Sequence, residues 1–177
     1  MSEETFDLII IGAGPGGYVA AIRAAQKGMR TAVVEKGATL GGVCLNEGCI
    51  PSKALLDSSE LFALARDKFA GHGIAIDPPR LDLARMMARK DDVVKKLTDG
   101  VAFLFKKNKI TLFTGAARLA GKDGNNHRIE VRGTKDEDKQ MLSARRILLA
   151  TGSEAVELPF LPFDGETVVS AREALSR

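Results

Sequence analysis

Apolar and polar positions fall in blocks along this chain, and the period changes from block to block. Phe6-Asp7-Leu8-Ile9-Ile10-Ile11 is a short apolar run, rich in β-branched residues and ended by glycine, which predicts a buried strand. Gly12-Ala13-Gly14-Pro15-Gly16-Gly17 predicts a tight turn, Tyr18 to Lys27 an Ala-rich helix stopped by Gly28, and Thr31 to Val34 a second strand ending at Glu35. A β-α-β unit of about thirty residues with so short a crossover implies parallel strands.

After Pro51 the period lengthens. Lys53 to Phe69 puts Leu55, Leu56, Leu61, Phe62, Leu64, Ala65 and Phe69 on one apolar helical face, before Gly71, Gly73, Pro78 and Pro79 break it. Leu83 to Lys107 predicts a longer helix, with Val94, Leu97, Val101, Leu104 and Phe105 at helical spacing. Ile110 to Phe113 reads as a strand again. Three short strand-like pieces follow, at Ala117 to Leu119, Arg128 to Arg132 and Gln140 to Ser143. Gly124-Asn125-Asn126 and the charged run Lys135 to Lys139 separate them, so an antiparallel meander over about 115–145 is expected as an insert in an α/β fold. Arg146 to Ala150 predicts a separate buried strand, ending in Thr151-Gly152-Ser153. A short helix is expected near Ala171 to Ser176.

Composition narrows the class. The 177 residues are 45% hydrophobic and 28% charged, enough for one domain with a sizeable core. The absence of Trp and the single Tyr (Tyr18) argue against an aromatic stacking surface. The net charge is only +3, and the basic runs Lys106-Lys107-Asn108-Lys109 and Arg145-Arg146 are short, so no nucleic-acid partner is expected. The first residues are acidic where a signal peptide would be basic, and the apolar run from Leu8 to Ile22 is broken by glycines and too short to span a bilayer. A cytoplasmic chain with no membrane partner is therefore expected. In that compartment two close cysteines point to metal or redox chemistry more than to a structural bridge.

The first turn carries the clearest ligand signal. Gly12-x-Gly14-x-x-Gly17 follows a strand and opens a helix, the context a dinucleotide fingerprint requires. Gly12 permits the tight turn, Gly14 lets backbone approach a pyrophosphate, and Gly17 lets the helix pack close. The helix N-terminus offers free N–H groups and a positive dipole end. Glu35 stands where a carboxylate can accept from both ribose hydroxyls and would repel a 2′-phosphate. These residues do not separate FAD from NAD, which share an ADP half.

Cys44 and Cys49 are five positions apart. On a regular helix that is about 7.5 Å of rise, while a disulfide needs Cα atoms roughly 4.4–6.8 Å apart. They bridge only if the chain between them is irregular, for which Asn46 and Gly48 are suited. Pro51 fits the first turn of a following helix, near whose N-terminus Cys49 would favour its thiolate. Lys53, one turn further on, can stabilise a thiolate or a reduced flavin, or be a solvated lysine. A zinc site would have to recruit His72 or His127, neither at a helpful spacing. Two inert buried thiols remain a third reading.

Joined together, the two sites suggest a flavin-dependent disulfide reductase. "GGVCLNEGCIPSKALL" resembles the active-site segment of the pyridine nucleotide-disulfide oxidoreductases, and the likeness extends through "DLIIIGAGPGGYVAAIRAAQKG", "VVEKGATLGG" and "RILLATGS". The wording "CIPSKALL" is most similar to the dihydrolipoamide dehydrogenases, with a glutathione- or mercuric-reductase-like enzyme, or a non-catalytic FAD-binding module, as the alternatives. The resemblance implies a Rossmann-like FAD-binding domain over 1–153, C-terminally incomplete, and a connector over 154–177 toward an NAD domain that the chain lacks. It implies FAD held by Gly12, Gly14, Pro15, Gly17, Glu35, Lys36, Gly42, Val43, Cys44, Lys53, Gly115, Ala117, Thr151, Gly152 and Ser153. It implies that Cys49 is the thiolate beside the flavin, Cys44 the interchange thiol and Lys53 a neighbour of the reactive flavin nitrogen. Lipoyl domains of a 2-oxoacid dehydrogenase or glycine cleavage system, NAD, and a homodimer of the full-length protein are the implied partners. Two departures stand out: the family's Gly-x-Gly at the adenine turn reads Gly115-Ala116-Ala117, and its Thr after Gly42 is Val43. Backbone contact survives the Ala only if its φ is negative. The resemblance also implies a fragment, inactive alone, with apolar sheet surface left exposed.

Overall fold

The structure is a computed structural model and describes residues 4–133 and 139–176. Residues 135–138 of the expected charged run lie outside the described residues. Two compact units divide the chain. One runs through Cys44 and resumes at Thr98–Val156; the other is Leu45–Leu97 with the segment from Glu157 onward.

The first unit is a six-stranded sheet in the order β3-β2-β1-β6-β5-β4. β1 (Glu4–Ile11) and β2 (Thr31–Glu35) are parallel, linked by α1 (Pro15–Gln26). β3 (Thr111–Thr114) extends the parallel set beside β2. β4 (Ala116–Asp123), β5 (Asn126–Arg132) and β6 (Lys139–Leu149) form the antiparallel meander. The sequence expectation needs one correction here. Gln140 to Ser143 and Arg146 to Ala150 are not two strands but one, β6, which closes the meander on β5 and also runs parallel to β1. The meander is thus continuous with the parallel sheet. The pairing with β5 stops opposite Ala144, so Arg145 and Arg146 lie where β6 pairs with β1 alone, and both reach solvent. The burial expected at Arg146 to Ala150 is not found there: none of those residues is buried, Leu149 is 61% exposed, and the buried part of β6 is Leu142 to Ala144.

At Ile9 to Ile11 β1 is buried on both faces, as the inner part of a central parallel strand must be, which explains why the apolar residues there do not alternate with polar ones. Phe6, Ile9 and Ile11 join Ala32, Val34, Ile129, Val131, Leu142 and Ala144 in one core. Ile10 and Val33 are buried with Ala21 and Ala24 of α1, which lies against β1 and β2. Helix ends follow glycine chemistry. α1 closes with Gly28 in the left-handed region, its N–H on Ala25 C=O and that of Met29 on Ala24 C=O. The β4–β5 turn places Gly124 at φ 55°, the first central position of a hairpin turn.

The second unit contains α3 (Cys49–Asp67), most of α4 (Leu83–Lys107) and α5 (Ala171–Ala174). Arg89 of α4 donates to Ala54 C=O (2.9 Å) and to Asp57 (2.6 Å) on α3. The apolar face predicted for α3 is present but not covered: Leu56 and Leu61 are exposed, and only Pro51 and Ala54 are buried. Periodicity reports which residues share a face, not what lies against it.

Candidate functional site

The glycine loop is built from the strand ends around it. Gly12 N–H donates to Val34 C=O (2.8 Å) and Ala150 N–H to Ile11 C=O (2.8 Å), so the tips of β2 and β6 hold the turn between them. Gly12 has φ 102°, and a Cβ there would lie 2.3 Å from Ala150 C=O. A Cβ on Gly17 would fall 1.8 Å from Gly12 C=O, so Gly17 packs α1 on the loop itself more tightly than on the strand, where Ile10 is 3.5 Å away. Gly14 is different. Its φ of −69° suits any residue, and an added Cβ would meet only Gly42 Cα, at 3.9 Å. No side chain caps α1 behind Gly14, and Pro15 opens the helix, which leaves first-turn N–H groups and the dipole end for an anion.

Glu35 has a task that the sequence does not reveal. Its carboxylate accepts from Ala13 N–H and from Gly37 N–H, each at 2.7 Å, one on each oxygen. It pins the glycine loop to the end of β2, and each oxygen keeps a further lone pair for a hydroxyl. Lys36, expected at the cofactor, pairs with Glu154 across 3.1 Å, both side chains mostly exposed.

Gly41 N–H donates to Ala13 C=O (2.9 Å), laying the next segment over the loop. Gly42 follows at φ 58°, with room for no Cβ: it would stand 2.6 Å from Gly14 Cα. α2 (Gly42–Glu47) starts there and carries Cys44, while Val43 is exposed. Gly48 then breaks the helix at φ −144°, ψ −109°, and Cys49 begins α3. That break is the irregularity the spacing requires; Asn46 lies inside α2 instead. Cys44 and Cys49 are joined in a disulfide, so neither the zinc reading nor that of two inert thiols holds here. Cys49 is the first residue of a 19-residue helix without a side-chain cap, the setting that favours a thiolate once the bond opens. Lys53 is exposed, one turn along.

The remaining expected contacts lie at strand ends. Gly115, at φ 151°, is buried between Glu35, whose C=O takes its N–H (2.8 Å), and Arg132, whose C=O lies 2.3 Å from where a Cβ would be. Ala117 sits within β4, and among the described residues only Lys109 is a non-glycine at positive φ, so Ala at this position keeps the backbone geometry. Thr151, Gly152 and Ser153 follow β6 as exposed residues, Gly152 at φ 76°. His72 ends a short 3-10 turn (Phe69–His72), and His127 lies in β5 opposite Ala144. Sequence reasoning passed over Ala13, Gly37, Gly41 and Ala150, whose contributions are backbone groups and leave no side-chain signal.

These elements define a class: a Rossmann-type α/β domain whose glycine loop is followed, one strand later, by a cystine at a helix start. The chain belongs to the pyridine nucleotide-disulphide oxidoreductase family, whose sequence profile matches residues 6–175. It is 49% identical over 172 residues to the mitochondrial dihydrolipoyl dehydrogenase of Bos taurus, covering 96% of this chain and 33% of that protein. It is 45% identical to the dihydrolipoyl dehydrogenase of Cupriavidus necator, covering 99% of this chain and 37% of that one. The chain therefore spans about a third of the length of the curated relatives it matches. The crystal structure of LpdA from Mycobacterium tuberculosis superposes with a TM-score of 0.85 at 23% identity, over 98% of this chain and 37% of that one, which establishes the shared fold. Among the described residues no helix is long and apolar enough to cross a membrane.

Proposed function

We propose that this chain is the flavin-binding and dithiol-handling part of a dihydrolipoyl dehydrogenase. The observation that carries the reading is the Cys44–Cys49 disulfide at the start of α3, in a chain of this family. The residues fit FAD: Gly14 and the α1 N-terminus suit its pyrophosphate, and the spare lone pairs of Glu35 its ribose. Lys36, Gly42, Val43, the Gly115–Ala117 turn and Thr151 to Ser153 complete the expected contacts. Bound FAD supplies a two-electron carrier between a dithiol and NAD⁺.

The chain's own chemistry is thiol–disulfide exchange. A thiolate of dihydrolipoamide attacks Cys44 Sγ, the Cys44–Cys49 bond breaks, and Cys49 leaves as a thiolate favoured by the α3 N-terminus and the Lys53 cation. The second substrate thiol then attacks the substrate sulfur of the mixed disulfide and releases Cys44. The substrate dithiol is oxidised to its disulfide, and the protein disulfide is reduced to two thiols. Domain limits of 1–153 and 154–177, a cytoplasmic location, lipoyl-domain partners and a homodimer of the full-length protein belong to the same reading.

The test is NAD⁺ reduction by the full-length protein with dihydrolipoamide, glutathione or a mercuric salt in parallel assays. Turnover with dihydrolipoamide alone, lost in Cys44→Ser, is the expected result. Turnover with another substrate makes this a different reductase of the family. No turnover, with redox behaviour unchanged in Cys44→Ser, makes it a non-catalytic module.

A further inference from the structure

Glu47 lies between the two cysteines, three residues after Cys44 and two before Cys49, and takes no part in the exchange chemistry above. Its carboxylate pairs with Arg172 Nε across 2.5 Å. Arg172 belongs to α5, a helix of four residues that has no stability of its own. α5 is nevertheless tied at both ends. Ser170 and Glu173 form a capping box at its start. At its end the Lys90 ammonium, on a side chain only 8% exposed, donates to Leu175 C=O (2.9 Å) and pairs with Asp91 (3.0 Å). Burying the Lys90 ammonium is costly unless it is paired and hydrogen-bonded, and the partners it takes tie down the last turn of α5.

We propose that Arg172 is a positioning residue for the cysteine pair, acting through Glu47. While the disulfide is closed, the covalent bond holds the Cys44–Cys49 segment. Once it is reduced, α2 is six residues long, followed by the break at Gly48, and is too short to persist unaided. The Glu47–Arg172 pair persists in both states. It restrains the segment in the dithiol and raises the effective concentration of one thiol at the other, which favours reclosure. The proposal rests on the redox role assigned to the pair above.

The experiment equilibrates the full-length protein with mixtures of reduced and oxidised dithiothreitol, quenches with acid, and counts alkylated thiols by mass. An exposed ion pair of ordinary strength sets the expected effect. Arg172→Gln should shift the equilibrium toward the dithiol about two- to fivefold, or about 9–21 mV at 29.6 mV per tenfold. Glu47→Gln should do the same, and the double variant should match either single one. Arg172→Lys should recover most of the wild-type value, which a generally loosened fold would not. An unchanged equilibrium in Arg172→Gln, or effects that simply add in the double variant, overturns the proposal. If the wild-type disulfide does not exchange with dithiothreitol at all, it is the redox reading of the pair that fails.

Discussion

The glycines of the loop and of the segment laid over it make a paired prediction. Gly42→Ala carries two separable costs. At φ 58° an alanine sits in the left-handed region, worth about 1–2 kcal/mol. Its Cβ would also stand 2.6 Å from Gly14 Cα and 3.2 Å from Gly14 N, both backbone atoms that cannot turn aside, and such overpacking costs about 1–3 kcal/mol. The sum, about 2–5 kcal/mol, is a large share of the roughly 5–15 kcal/mol that holds a domain together. In urea, with a slope of about 2 kcal/mol/M, the midpoint should fall by about 1–2.5 M. Gly14→Ala is the contrast. Its φ is ordinary and its Cβ would meet one atom at 3.9 Å, so the cost is that of a poorer helix cap, under about 1 kcal/mol. Yet the methyl would stand where the pyrophosphate is proposed to lie, so FAD retention should be lost. Circular dichroism in urea, with flavin content measured on the same samples, separates the two. A stable Gly42→Ala protein refutes the packing argument. A Gly14→Ala protein that keeps its flavin removes the pyrophosphate from this loop.

Further predictions concern stability. Lys109 is the only described non-glycine at positive φ and closes α4, its N–H on Lys106 C=O and that of Ile110 on Phe105 C=O. Lys109→Gly should therefore stabilise by about 0.5–1 kcal/mol in urea titrations. Gly100 lies within α4 with nothing within 4 Å of an added Cβ, so Gly100→Ala should add a similar amount, independently. Ile129→Ala, at a fully buried core position, should cost about 2–5 kcal/mol by the same titration. The Ser170 hydroxyl and N–H hold the Glu173 carboxyl below its usual range, and the N–H groups of Glu166, Val168 and Thr167 do the same for Asp164. A depressed carboxylate stabilises above its unfolded value, about 4, and loses that contribution as pH falls through the lower folded value. Hydrogen exchange at the Ser170 and Val168 amides should accordingly be independent of carboxyl titration between pH 5 and pH 8, as approximate bounds, and lose protection only in acid.

What the sequence announced was local. β1, α1 and β2 follow from one apolar run, one glycine turn and one alanine-rich stretch, and α4 spans Leu83–Lys107 as its periodicity predicts. The fingerprint, Glu35 and the cysteine pair were legible because each is a side-chain type at a fixed spacing. What escaped was long-range. β6 reads as two strands because nothing local tells that its first half pairs with β5 as far as Ala144 while Leu142 to Leu149 runs along β1. Glu35 as a brace for Ala13 and Gly37 depends on two backbone N–H groups that any residue would supply. Glu47 and Arg172 are far apart in sequence yet meet in the fold, each an unremarkable charge in its own neighbourhood.

The glycines show why a motif of this kind carries two messages at once. Gly12, Gly17 and Gly42 are demanded by the fold: each has a backbone atom within 2.6 Å of where a Cβ would be, whether or not anything binds. Gly14 is demanded by nothing in the protein, since its φ is ordinary and its surroundings are open. A residue that lowers helix-cap quality little, gains no packing and leaves backbone bare at an uncapped helix start makes sense only against a ligand that comes close. The same reasoning divides Glu35, whose bonds to Ala13 and Gly37 serve the loop while its remaining lone pairs are left for the ribose hydroxyls proposed above. Folding and binding thus share residues here without competing for the same atoms, and substitutions that remove one role while sparing the other can be chosen from the geometry.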